Sequence, residues 1–179
     1  MEDCLADVCK WMAENKLKLN PKKTEAIVLA QKRHRHKVND VIVHIGQDMI
    51  QPSACVRDLG AWLDDNITMK KQVSQTVKAG YYHLRSINKI RRSLPDDTCA
   101  KVINAAVTSR QDYHDALLAG CHKSTTKPLQ RLQNEAARVL ARKSRKDHVT
   151  PVLEDLHWLR IEDRCDFKLL VLIHDSLYN

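Results

Sequence analysis

The sequence predicts an α+β chain that is mainly helical: a small N-terminal piece of one helix and antiparallel strands, then an α-helical bundle. Three observations carry this expectation. Aromatic residues make up only 4% of the 179, with Phe167 the only Phe, which disfavours a β-sandwich and suits aliphatic helix packing. Four Gly and five Pro leave little room for long irregular loops. Past Asn66 the hydrophobic pattern changes from short extended runs to long stretches of helical period. With 43% hydrophobic residues the chain can bury a core, and its length suits one ordinary domain or a small domain with a partial neighbour.

Residues 2–16 read as a short helix with Leu5, Val8, Cys9 and Met12 on one side. Pro21 ends any helical continuation. Thr24–Leu29 and Val41–Ile45 read as strands, separated by a polar, basic loop at Gln31–Lys37. Gly46-Gln47-Asp48 turns the chain into Met49-Ile50. Ala54–Leu63 reads as one further extended run, in which Gly60 marks a bulge or a close backbone approach. Helices follow at Thr68–Ser93, Asp96–Ser109, Asp112–Leu118 and Thr126–Arg145. Pro95 sits near the N1 position of the second, which has two acids in its first turn. A helical turn at Thr150–Leu156 and an apolar helix at Glu162–Leu177 close the chain. The expected division is 1–65 and 66–179.

The formal charge of +8 is unevenly spread. Residues 1–65 balance ten Lys/Arg with ten Asp/Glu, residues 66–146 carry +12, and residues 147–179 carry −4. A basic central segment attracts phosphate backbones or anionic surfaces. Its charge is ordered. Lys71, Lys78, Arg85 and Arg92 recur every seven residues, joined by Lys89, while Met69, Val73, Val77, Gly80, Leu84 and Ile87 lie roughly opposite. At 1.5 Å per residue the row is about 31 Å long, near one turn of a duplex. Lys127, Arg131, Arg138, Arg142 and Arg145 fall within a second stripe about 60° wide. Asn134 extends it, and Leu129, Leu132, Ala136 and Leu140 take the other side. Both stripes are almost free of acids, which argues against i,i+4 salt-bridge ladders.

Other chemistry is weakly supported. The six cysteines are scattered without a CxxC, so a disulfide framework is not expected and an intracellular compartment, nuclear or cytoplasmic, is. No secretory signal or bilayer-spanning apolar run is present. His34 and His36 lie among Lys32, Arg33, Arg35 and Lys37, which repel a cation. Cys121-His122 lack zinc-site spacing, and no metal ligands are expected. Trp62 and Trp158 sit in apolar runs and read as core or interface residues.

The order of short segments adds a resemblance. Cys4-Leu5-Ala6-Asp7, Trp11-Met12, Leu17 through Glu25, Val56-Arg57-Asp58-Leu59-Gly60 and Leu63-Asp64 resemble the post-catalytic palm of non-LTR (LINE-type, jockey-like) retrotransposon reverse transcriptases. Val107 through Arg110, Asp112-Tyr113, Leu117 through Gly120, Leu129-Gln130, Gln133-Asn134, Ala136 through Leu140 and Leu156 through Leu159 look like the thumb of the same family. Gln111, His114 and Arg160 depart from its usual pattern.

The resemblance implies a partial palm at 1–65 and a helical thumb at 66–179 that clamps a template–primer duplex. It implies that Lys23 matches the motif D lysine near the incoming triphosphate, and that Leu59-Gly60 match the primer-grip hairpin. The family's metal-binding aspartates would lie upstream of this chain, and the Mg²⁺ ions they hold would belong to that missing palm. Asp64-Asp65 and Asp96-Asp97 are the only Asp pairs here, neither in the required hairpin context. The expectation is therefore a fragment of an RNA-directed DNA polymerase, without cofactor or activity of its own. Its partners would be nucleic acid and the missing upstream region, not a membrane. An element-derived helical interaction protein and a non-functional translated pseudogene are the alternatives.

Overall fold

The computed structural model describes residues 2–30, 41–45 and 48–178. The fold is mainly helical α+β, with two small antiparallel sheets in the N-terminal part. The chain divides into two units, Met1–Thr68 and Met69–Asn179. The basic loop expected at Gln31–Lys37 and the Gly46-Gln47 part of the first turn lie outside the described residues.

In the first unit, α1 spans Glu2–Glu14 and ends where Lys16 turns left-handed, with Leu17 N–H donating to the Met12 carbonyl at 2.8 Å. Leu5, Cys9 and Met12 are half-buried, whereas Val8 and Trp11 are exposed. Strands β1 (Val43–Ile45) and β2 (Asp48–Ile50) pair antiparallel, with Val43 opposite Ile50. The strand expected at Thr24–Leu29 does not form. Ala26 makes a single parallel bridge to Pro52, with Ser53 N–H donating to its carbonyl at 2.8 Å. Pro52 has no N–H with which to extend a ladder.

The extended run expected at Ala54–Leu63 is instead a hairpin of β3 (Cys55–Asp58) and β4 (Ala61–Asp64). Leu59 and Gly60 form its two-residue turn with φ of 44° and 89°. Two consecutive positive φ values are the requirement of a type I′ turn, whose twist matches the strands. Gly60 is therefore a turn residue, not a bulge. Val56 and Ala61 face inward, and the Arg57 guanidinium lies 5.9 Å from the Trp62 ring centre. Asp64 closes the unit: its Oδ1 accepts from Thr68 N–H at 2.9 Å and Asn66 N–H at 3.2 Å, and its Oδ2 from the Thr68 hydroxyl at 2.9 Å.

The second unit is all helix. Its longest elements are α2 (Lys70–Ile90) and α6 (Lys123–Ala141). Between them run α3 (Asp96–Ile103), α4 (Ser109–Asp112) and α5 (Asp115–Leu118), and α7 (Thr150–Asp155) and α8 (Ile161–Tyr178) follow. Met69 adopts a left-handed backbone with φ 57°, so α2 starts at Lys70 rather than Thr68. Its last residues tighten into a 3₁₀ turn at Arg91–Ser93. Pro95 is the residue before α3 rather than its first residue. A π turn at Asn104–Thr108 joins α3 to α4. Residues at i, i+4 and i+8 drift by about 40° per step on an α-helix. The wider turn offsets that drift, so Cys99, Ile103, Val107 and Gln111 all stay buried.

The core joins Leu84 and Ile87 of α2, Cys99, Ile103 and Val107, and Leu132, Ala136 and Leu140 of α6. Burying each Leu or Ile side chain contributes about 1.5–3 kcal/mol. A smaller cluster of Ala137, Val152 and Leu153 seats α7, and the half-buried Trp158 packs against both clusters. The α2–α6 contact is close because Gly80 is small: a Cβ there would collide with Leu132 Cδ2.

Gln111 is buried and His114 half-buried, and both are hydrogen-bonded within the bundle. Gln111 Nε2 donates to the Leu129 carbonyl at 3.3 Å, and His114 Nδ1 lies 2.8 Å from Gln72 Nε2. Desolvation lowers the pKa of His114, which favours the neutral ring as acceptor. Gln133 Nε2 donates to the Leu159 carbonyl, and Gln130 Oε1 accepts from Ile161 N–H, which ties α6 to the start of α8. Beyond Cys165, α8 buries little: Phe167, Leu170, Leu172, Ile173 and Leu177 are exposed.

This packing sets the response to two substitutions. Gly80→Leu is expected to lower unfolding stability by about 1–3 kcal/mol through overpacking, with part of the loss recovered by adding Leu132→Ala, as read by denaturant melts. The second concerns Asp115, which is 2% exposed. Burial, then the neighbouring Asp112, push its carboxyl up to about 7 against the pull of Arg164 and Lys168 on α8. Between 3.8 and about 7 the folded chain holds a proton that the unfolded chain has released. Stability from this group therefore falls as pH rises through that window. Thermal melts across it should show the decline, and Asp115→Asn should flatten it.

Candidate nucleic-acid interface

The described helices place the two basic stripes differently. On α2, Lys71, Lys78, Arg85 and Lys89 are exposed, and Arg92 follows in the 3₁₀ turn, also exposed. Among the described residues Lys78, Arg85, Lys89 and Arg92 carry no ion pair. On α6, Lys127 and Arg131 are exposed, but the distal arginines are engaged. Arg138 NH1 lies 3.7 Å from Glu135, Arg142 NH2 3.2 Å from Asp96, and Arg145 Nε 3.4 Å from Glu135. The α6 stripe is therefore not acid-free in space: Glu135 sits one turn from Arg138 on the same helix.

The helix also ends earlier than expected. Arg142 turns left-handed with φ 54°, so α6 stops at Ala141 and Arg145 lies in the segment beyond it. His122 caps the other end by accepting from Ser124 N–H at 3.2 Å.

Gly80 meets Leu132, and Arg91 meets Val139 and Leu140, so α2 and α6 run in the same direction. Their C-terminal ends come together. A cleft of about 540 Å³ opens there, lined by Arg91, Arg92, Arg138, Arg142, Lys143 and Arg145 with Glu135 as its only acid. A second cleft of about 330 Å³ lies along the first half of α6, where Lys123, Lys127, Arg131 and Arg160 gather with Glu162. The α6 stripe is thus divided between two basic clefts. Arg160 joins the second.

Arg91 does not stand out in the sequence. It falls out of phase with the basic stripe, and only 5% of it is exposed. It donates through Nε to the Val139 carbonyl at 2.9 Å, through NH1 to the Leu94 carbonyl at 2.9 Å, and through NH2 to the Leu140 carbonyl and Asp96 Oδ1, each at 2.6 Å. The hydrogen bond from Arg91, and then the charge of Arg142, hold the Asp96 carboxyl below its ordinary range. Position 91 lies four residues after Ile87 and seven after Leu84, on the buried face. That spacing is the signal for a buried arginine, since a guanidinium there needs several acceptors.

The first unit holds the remaining candidates. Lys23 is exposed at the end of a 3₁₀ turn, Pro21–Lys23, its N–H donating to the Asn20 carbonyl at 3.0 Å. Leu59 is 85% exposed at the tip of its hairpin, beside Gly60. Among the described residues no group of His, Cys, Asp and Glu could hold a metal ion, and no helix is long and apolar enough to cross a membrane.

Comparison with protein-family models, curated proteins and solved structures found no match.

The distribution of cations has two physical causes. Helix C-termini carry unpaired carbonyls and partial negative charge, so they recruit arginines. Arg91 is wholly explained this way, and Arg142 partly. Arg92, Lys143 and the exposed row on α2 exceed what the helix ends require. Arg91→Ala should cost roughly 2–4 kcal/mol, because it strands the buried carbonyls of Val139 and Leu140. Arg91→Lys should recover only part of that, since an ammonium cannot reach the same fork of acceptors. Chemical denaturation of both variants measures it, and a loss within experimental error for Arg91→Ala would refute the clamp.

Proposed function

We propose that the chain binds the phosphate backbone of a nucleic-acid duplex through α2 and the clefts along α6. In this reading it is the duplex-holding part of an RNA-directed DNA polymerase from a non-LTR mobile element. The observation that carries it is the larger cleft, where Arg92, Arg138, Arg142, Lys143 and Arg145 gather around Glu135 at the meeting point of the C-terminal ends of α2 and α6. Such a surface neutralises phosphates without reading bases, so binding is sequence-independent and strongly salt-dependent.

Polymerase chemistry is not part of the proposal for this chain. Its acidic pairs have other roles: Asp64 closes a turn, and Asp96 is held by Arg91 and Arg142. A second reading, a helical interaction protein, draws on the exposed apolar side chains of α8.

Titration of a labelled duplex by fluorescence anisotropy at several salt concentrations tests the first reading. Log affinity should fall linearly with log salt. Reversing charge at Lys78, Arg85, Arg138 and Arg142 should shallow the slope by about 0.9 for each phosphate that is no longer neutralised. Reversing four lysines of the first unit should leave it nearly unchanged. Equal slopes for the wild type and the cleft variant would overturn the proposal.

A further inference from the structure

The ion pairs at the C-terminal cleft are of two kinds. Arg91 holds Asp96 at 2.6 Å and is saturated by three backbone carbonyls. Glu135 holds its arginines loosely, at 3.7 Å from Arg138 NH1 and 3.4 Å from Arg145 Nε. Charge-assisted hydrogen bonds between arginine and carboxylate close to about 2.7–2.9 Å when well made. Arg138 also remains under-used: its Nε is buried without a hydrogen-bond partner, and NH2 reaches the Asp147 carbonyl only at 3.5 Å. Arg145 is 84% exposed, so its pairing with Glu135 is open to water. The cleft therefore contains a carboxylate that touches two arginines without satisfying either.

We propose that Glu135 is a resident counter-ion of this cleft, which a nucleic-acid phosphate displaces on binding. The proposal rests on the reading of the cleft as a backbone-binding site. Glu135 offsets one of the two positive charges of Arg138 and Arg145 in the free protein. An arriving phosphodiester, with two free oxygens, takes over both guanidinium groups. Glu135 then faces the incoming negative charge and opposes it. It acts as a threshold residue: it lowers affinity for any polyanion and shallows the salt dependence, while its arginines provide the attraction.

The full 179-residue chain and its Glu135→Gln variant, titrated with a labelled duplex, test this. Glutamine keeps the shape and removes the charge. Affinity at low salt should rise roughly five- to tenfold, and the log–log salt slope should steepen by about 0.9, as for one additional neutralised phosphate. In an Arg138→Ala/Arg145→Ala background the same substitution should raise affinity and steepen the slope markedly less, because only direct repulsion and no counter-ion exchange is left; equal effects in both backgrounds would reduce Glu135 to a general change in net charge. Matching melting curves for Gln and wild type exclude an effect of folding. Wild-type-like affinity in Glu135→Gln would overturn the threshold role, and so would weaker binding, which would make Glu135 an organiser of the arginines. If the wild type binds with the expected salt dependence and the variant is unchanged, the threshold role alone fails. If neither chain binds, the cleft reading fails with it.

Discussion

One buried guanidinium fixes the architecture of the helical unit. Arg91 ends α2, bonds the last carbonyls of α6, and holds the residue that opens α3. Burying such a charge is costly unless every donor is aimed at an acceptor. Here the cost is offset by carbonyls that α6 cannot satisfy internally, since the last turn of any helix leaves them unpaired. Each end therefore resolves the other's deficit. Because α2 and α6 run in the same direction, this joint also brings two helix C-termini, with their cations, to one place.

That geometry makes the basic cleft partly a consequence of folding. Cations collect where helix dipoles end, and a cleft between two such ends would be positive even without a ligand. The informative quantity is the surplus left after the carbonyls and Asp96 are satisfied. The α2 row supplies most of it, because Lys78, Arg85 and Lys89 lie along the helix rather than at its end. On α6 the surplus is smaller than the bare stripe suggests, since Glu135 and Asp96 engage three of its arginines.

Legibility follows the range of the interactions involved. The amphipathic helices, their order and the mainly helical class are readable from period and from Pro and Gly, because those signals are local. By residue type the Leu59-Gly60 turn reads as part of one extended run, since Leu is uncommon at positive φ and hides a type I′ turn; only the resemblance implied a hairpin there. Thr24–Leu29 has strand composition, but among the described residues it makes one isolated bridge, Ala26 to Pro52. The helical stripe locates Arg138, Arg142 and Arg145 by phase, yet phase carries no information on ion pairing. Asp96 is 46 residues from Arg142 along the chain, so only tertiary structure could reveal that contact. Arg91 is hidden for a related reason: a basic residue in a basic segment looks like one more surface charge until its four acceptors are seen together.

The functional account depends on where a duplex would touch the chain. Backbone amide and arginine side-chain NMR shifts, followed while a short duplex is titrated into the labelled protein, measure that directly. The largest changes are expected at Arg85, Lys89, Arg92, Arg138, Arg142 and Arg145, reversed by added salt, with the Arg91 side chain nearly still. Changes confined to the exposed apolar residues of α8, or no changes at low salt, would contradict this reading.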